Sequence, residues 1–259
     1  MLAFHRALKK HILSAFTRDG VAPEQVAATI CRAMIRPCGK QEGLAFEGWL
    51  RARKIERLVH FTALKNVPHI MKHGLIPRDY LELEVVRMAL GAAFSDSQRH
   101  DAMPQFSCLS ITSPNYQMFY NKRQRLRGGW AVISFAPEAL TRFYFQFTPT
   151  NAAAAGVVAQ SGTDGAERLF QLDNLRKTLG LAPNETTDPQ AEALCDSILA
   201  PEFVFDVSVE SPQGQQWLRA RGVTARVDQA LFEPRRDWQF WRQNHSVIQL
   251  PGFRKQHAS

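Results

Sequence analysis

The 259-residue sequence predicts an α+β fold. Three observations lead there. Short β-branched and aromatic runs recur at irregular spacing, as in Leu58–Thr62, Trp130–Phe135 and Phe203–Val209. The helix-forming stretches between them are of mixed length, unlike the regular alternation of a doubly wound parallel sheet. Neither Gly-x-Gly-x-x-Gly nor Gly-x-x-x-x-Gly-Lys-Ser/Thr occurs, so nothing marks a Rossmann or P-loop domain.

The elements follow in order. Residues 1–50 read as a helical N-terminal extension, with Pro23 near a first turn and a break at Pro37-Cys38-Gly39-Lys40. Residues 51–259 read as one domain with a basic, aromatic C-terminal tail. Leu58–Thr62 is a strand, and Asn66–His73 a short helix stopped by Gly74. Leu81–Ala93 has helical tendency, and Ser95–Gln105 is polar and loop-like. Phe106–Ile111 is a strand. Pro114–Arg127 is a helix, with Ser113 as N-cap and Pro114 at the first position. Strands follow at Trp130–Phe135 and Phe143–Phe147. Asn151–Gly165, rich in Ala, Gly and Ser, reads as a mobile loop. Gln190–Cys195 and Phe203–Val209 are strands, and Gln213–Arg221 a short helix.

Composition narrows the class. The chain is 45% hydrophobic and 22% charged, as ordinary soluble globular chains are. No apolar run approaches the ~20 residues of a membrane helix, so no membrane partner is expected. The amphipathic, mildly basic N-terminus lacks the apolar core of a signal peptide. Cys31, Cys38, Cys108 and Cys195 show no metal or CxxC spacing and read as reduced thiols of a cytoplasmic protein, with no metal site. A net charge of +8 favours a polyanionic partner, although it also serves solubility.

Several residues have the chemistry of a site. Alternation along Gln190-Ala191-Glu192 puts Gln190 and Glu192 on one strand face, and His60 and Thr62 share a face likewise. A carboxylate such as Glu192 can stabilise a developing cation and hold sugar hydroxyls; a strand-end surface glutamate is the plainer account. His60 and Thr62 can hydrogen-bond a ribose; a satisfied core histidine beside a β-favouring threonine explains them too. Arg99 can clamp a pyrophosphate bidentately or be a solvated loop charge. Tyr116, Phe119 and Tyr120 form a helical stripe suited to core packing or to stacking on a base. The basic residues Lys122, Arg123, Arg125 and Arg127 suit a phosphate backbone, and equally a solvated helix end. The tail interleaves Arg235, Arg236 and Arg242 with Trp238 and Trp241, in keeping with single-strand binding or with docking on the core.

An ordered set of segments resembles the DarT family of DNA ADP-ribosyltransferase toxins. The pieces are Leu58-Val59-His60-Phe61-Thr62, then 66–75, then Asp96-Ser97-Gln98-Arg99, then 110–120 and Asp188-Pro189-Gln190-Ala191-Glu192. Together they span about residues 55–210. The resemblance implies the ADP-ribosyltransferase fold, a mixed and mostly antiparallel two-sheet core with NAD in the cleft. It implies that His60, Phe61, Thr62, Asn66, Gly74, Leu75, Tyr116 and Tyr120 line the NAD site. It makes Glu192 the catalytic glutamate, with a substrate-recognition loop between about 151 and 192. Arg99 would bind near NAD and take part in activating the base, although a free guanidinium stays protonated and suits the binding role better. The implied product is single-stranded DNA carrying ADP-ribose on a base, with nicotinamide released. The implied setting is a toxin–antitoxin or phage-defence system with a macrodomain antitoxin. Two other functions stay open on the residues alone: transfer to RNA, protein or a nucleotide, and a non-enzymatic basic nucleic-acid-binding module. The base modified is not legible.

Overall fold

An eight-stranded sheet organises the chain, in the order β5-β4-β6-β2-β1-β3-β7-β8. The strands are β1 (Leu58–Ala63), β2 (Ser107–Ile111), β3 (Trp130–Phe135), β4 (Phe145–Thr148), β5 (Gln160–Ser161), β6 (Glu192–Cys195), β7 (Val204–Val209) and β8 (Arg226–Val227). The structure, a computed structural model, describes residues 36–81, 105–125, 128–244 and 248. Every pairing is antiparallel except that of β7 with β8.

The sheet divides into two halves of four strands. β1 and β3 pair through six residues, from Leu58↔Phe135 to Ala63↔Trp130. β1 and β2 pair only at Leu58↔Ile111 and Val59↔Ser110. One half is therefore β1-β3-β7-β8, the other β2-β6-β4-β5, and they part just past Val59. The next residue along β1 is His60.

β3 is buried along its whole length. Ala131, Ile133 and Phe135 belong to the main core, whereas Trp130 and Val132 join a second cluster with Val59, Phe119, Leu231 and Phe232. This is period-2 alternation in a strand covered on both faces, which is why its sequence is an unbroken apolar run. The main core is closed by helix Lys40–Arg53, which buries Phe46 and Leu50. Phe46 packs on Phe147 with ring centroids 5.9 Å apart, and Trp49 meets Phe170 edge to face at 5.6 Å. Residues 1–35 of the expected extension lie outside the described residues, as do most of Leu81–Ala93 and Ser95–Gln105.

Three local expectations change. Helix Tyr116–Arg125 is capped by Asn115, not Ser113: the Asn115 side-chain oxygen accepts the Met118 amide at 3.2 Å. Pro114 therefore precedes the cap. The expected loop 151–165 contains β5 and the start of helix Gly162–Glu167. Its small residues serve packing there, since a Cβ at Gly165 would collide with the Gln160 carbonyl. Finally, β6 begins at Glu192, and Gln190 sits in a turn with its amide on the Asp188 carboxylate at 2.7 Å. The Asp188 carboxylate imposes this turn, which strand propensity cannot anticipate.

Candidate active site

The candidate site is the region where the two half-sheets part. In β1, His60 is half-buried and its Nδ1 donates to the Cys108 carbonyl at 2.9 Å. A carbonyl only accepts, so Nδ1 carries a proton. Phe61 stacks on Phe119 at 4.6 Å between centroids, as part of the second core cluster. Thr62 is buried, and its Oγ1 accepts from Asn66 Nδ2 at 3.1 Å. The Asn66 carbonyl oxygen is buried with no hydrogen-bond partner.

The chain reaches Glu192 from the other half. β6 pairs with β2 through Leu109↔Ala193 and with β4 through Thr148↔Glu192. One strand, β2, therefore separates Glu192 from β1. Two interstrand spacings put their backbones roughly 10 Å apart, the scale of a dinucleotide half rather than of a direct side-chain pair. Glu192 is 3% exposed, and its carboxylate accepts the Ala152 amide at 3.0 Å. The hydroxyl of its strand partner Thr148 is buried without a hydrogen-bond partner.

Gly74 and Leu75 tie the two halves together. Leu75 and Leu199 exchange backbone hydrogen bonds at 2.9 and 3.1 Å, forming an isolated bridge just past β6. Gly74 has φ +83° and ψ 175°, a region open to glycine, and a Cβ there would collide with the Leu199 carbonyl.

The aromatic stripe splits in role. Phe119 is fully buried, whereas Tyr120 is exposed and lies 5.8 Å from Tyr116. Tyr116 meets Trp238 edge to face at 5.7 Å, and burial raises its hydroxyl above the ordinary tyrosine range. The basic run also splits. Arg123 gives its donors to the Phe232 carbonyl at 2.9 Å and to Glu210, so it is part of the packing. Arg125 is exposed and Lys122 partly so. Arg99 and Arg127 lie outside the described residues.

Some features left no trace in the sequence. The Ala152 amide and the Cys108 carbonyl are backbone groups, so composition cannot flag them. Asn115 was findable as an Asn just before a helix. Arg235 and Asp237, in the tail, form a buried ion pair at 2.6 Å. Among the described residues no group of His, Cys, Asp and Glu is arranged to hold a metal, and no helix is long and apolar enough to cross a membrane.

The family profile described as ssDNA thymidine ADP-ribosyltransferase, DarT, matches residues 59–240. The chain belongs to the DarT family. The match includes the His60–Thr62 strand, Arg99 and Glu192, and so covers both sides of the parting. Membership carries the fold expected from the sequence and the reaction class, ADP-ribosylation of single-stranded DNA.

A solved DarT structure with a TM-score of 0.50 shares the fold. Thermus sp. 2.9 DarT in complex with NAD+ is 11% identical, with a TM-score of 0.50 over 70% of this chain and 98% of that one. Thermosipho africanus DarTG in complex with ADP-ribose is 15% identical, with a TM-score of 0.49 over 68% of this chain. The present chain spans about half of that DarTG chain, 51%. Thermus sp. 2.9 DarT in complex with ADP-ribosylated ssDNA is 13% identical, with a TM-score of 0.47. A comparison with curated protein sequences gives no match.

Proposed function

We propose that this protein transfers ADP-ribose from NAD to a thymidine base in single-stranded DNA, with Glu192 as its catalytic carboxylate. The observation that carries this reading is the DarT match over residues 59–240, which includes both Glu192 and the His60–Thr62 strand. The residues also fit a polar dinucleotide. Asn66 Oδ1 and Thr148 Oγ1 are buried acceptors without hydrogen-bond partners, and such groups cost about 1–3 kcal/mol each unless a ligand or water satisfies them.

NAD supplies the ADP-ribosyl group. His60, Thr62 and Asn66 would hold its ribose and amide groups, with the Gly74–Leu75 turn as a wall. Tyr116 and Tyr120 offer ring faces. Arg99 would clamp the pyrophosphate. As the bond from ribose to nicotinamide breaks, nicotinamide leaves with the electron pair and positive charge grows on the ribose. The Glu192 carboxylate is held buried against the Ala152 amide, where fixed charge acts most strongly on that cation. The thymine supplies the new electron pair and gives up a proton. Lys122, Arg125 and Arg127 would meet the DNA phosphates.

The rest of the reading follows the family: a toxin acting in the cytoplasm, countered by a macrodomain antitoxin that removes the modification. Mass spectrometry of oligonucleotides incubated with protein and NAD tests the reaction. A gain of one ADP-ribose on thymidine-containing strands, absent with Glu192→Ala and with thymidine-free strands, is expected. Nicotinamide release without any gain on DNA would move the acceptor to RNA, protein or water.

A further inference from the structure

The C-terminal segment grips the chain that leads into Glu192. Arg235 and Asp237 are almost fully buried, with side chains 6% and 1% exposed. Arg235 Nε and Nη2 both donate to the Asp237 carboxylate at 2.6 Å. Its remaining donors reach across the fold, Nη1 to the Thr186 carbonyl at 2.7 Å and Nη2 to the Thr187 carbonyl at 3.0 Å. Asp237 accepts in addition from the indole of buried Trp241 at 2.9 Å. Next in sequence, Arg236 pairs with Glu185.

The gripped residues, Thr186 and Thr187, lie six and five positions before Glu192. The chain between is held without slack. Thr187 gives its amide to the Leu169 carbonyl at 2.7 Å, and Thr186 its hydroxyl to the Asp188 carbonyl at 2.8 Å. Gln190 and Ala191 both donate back to Asp188. β6 begins immediately after, with Glu192 paired to Thr148.

A buried ion pair is a poor way to gain stability, because desolvation offsets most of the attraction. It is a good way to fix geometry. Guanidinium is a rigid planar fork, and here one fork reads a carboxylate on one edge and two successive carbonyls on the other. A carboxylate that must meet a transition state needs its backbone held to a fraction of an ångström, because a misplacement of about 1 Å costs on the order of a hundredfold in rate.

We infer that Arg235 is a positioning residue for Glu192: the tail straps down the 186–191 segment and sets where that carboxylate stands. This rests on the proposed role of Glu192. The tail is then part of the machinery, and the tail arginines divide in function, with Arg235 spent inside the fold.

The test uses the full chain and nicotinamide release from NAD in the presence of a thymidine-containing oligonucleotide. Arg235→Lys keeps the charge and loses the fork. Its kcat is expected to fall roughly tenfold to a hundredfold, with KM for NAD within about twofold. Amide exchange should quicken at residues 187–192 and stay unchanged in β1 and β3. Trp241→Phe removes the indole donor to Asp237 and should give a smaller loss of the same kind. Arg235→Lys that is folded with the kcat of the parent overturns the inference. Where Arg235→Lys does not fold, Trp241→Phe decides, and parental kcat with unaltered exchange at 187–192 overturns it. Glu192→Gln run alongside separates the two readings: full turnover in that variant refutes the role of Glu192 itself, whereas a dead Glu192→Gln beside a fully active Arg235→Lys refutes only the strap.

Discussion

Glu192 and Ala152 are joined by a hydrogen bond of 3.0 Å in which the backbone amide donates to a carboxylate that is 3% exposed. The bond orients a buried carboxyl group, and it couples β6 to the segment that follows β4. Glu192→Gln keeps an acceptor for that amide and nearly the same shape while removing the carboxylate. Folding should therefore survive. Turnover of NAD should fall about a hundredfold or more, with binding of single strands retained. Parallel measurement of nicotinamide release and strand affinity checks this, and parental turnover would remove Glu192 from the chemistry.

His60 lies on β1 beside the point where the half-sheets part, with its Nδ1 held by the Cys108 carbonyl. His60→Ala should raise KM for NAD roughly tenfold, as expected from losing a hydrogen bond of about 1.5 kcal/mol. kcat should change less. A drop confined to kcat would place His60 in the chemical step instead.

Gly74 combines a positive φ with close approach to the Leu199 carbonyl. Gly74→Ala should destabilise the fold by about 1–3 kcal/mol from backbone strain alone, and further from the collision. A shift of the urea midpoint measures it. An unchanged midpoint would mean that the turn relaxes freely.

Arg123 and Arg125 should behave oppositely. Arg125→Ala should lower the slope of log affinity against log salt by about one for single strands, with stability kept. Arg123→Ala should lower stability, since Glu210 and the Phe232 carbonyl lose their partner. An equal effect of both on the salt slope would return Arg123 to the DNA face.

His73 ends the helix Val67–His73, and its pKa lies below the ordinary value of 6.5, first because of burial and then because of the positive charges of Lys72 and His69. The unfolded chain therefore takes up a proton more readily than the folded one. Stability contributed here is complete above about pH 6.5 and is lost as pH falls from there toward the folded pKa. In His73→Gln the unfolding midpoint should decline less than in the parent between pH 7 and pH 5, over the range where histidine titrates. Identical profiles would show that His73 is solvated as in the open chain.

The sequence by itself determined the local elements and the chemistry on offer. Short apolar runs specified β1, β2, β3 and β7, because alternation and β-branching act on each strand separately. Ordered motifs brought His60, Thr62 and Glu192 to notice, and membership of the DarT family agrees with that resemblance. Tertiary structure decided what depends on partners distant along the chain. It set β2 between Glu192 and β1, began β6 after Gln190, and gave Glu192 the Ala152 amide. It took Arg123 and Arg235 out of a basic surface and spent them on carbonyls and carboxylates. An arginine on a phosphate and an arginine inside a fold look alike in a string of letters. They differ only in which acceptors the folded chain brings within about 3 Å, and no local rule carries that information.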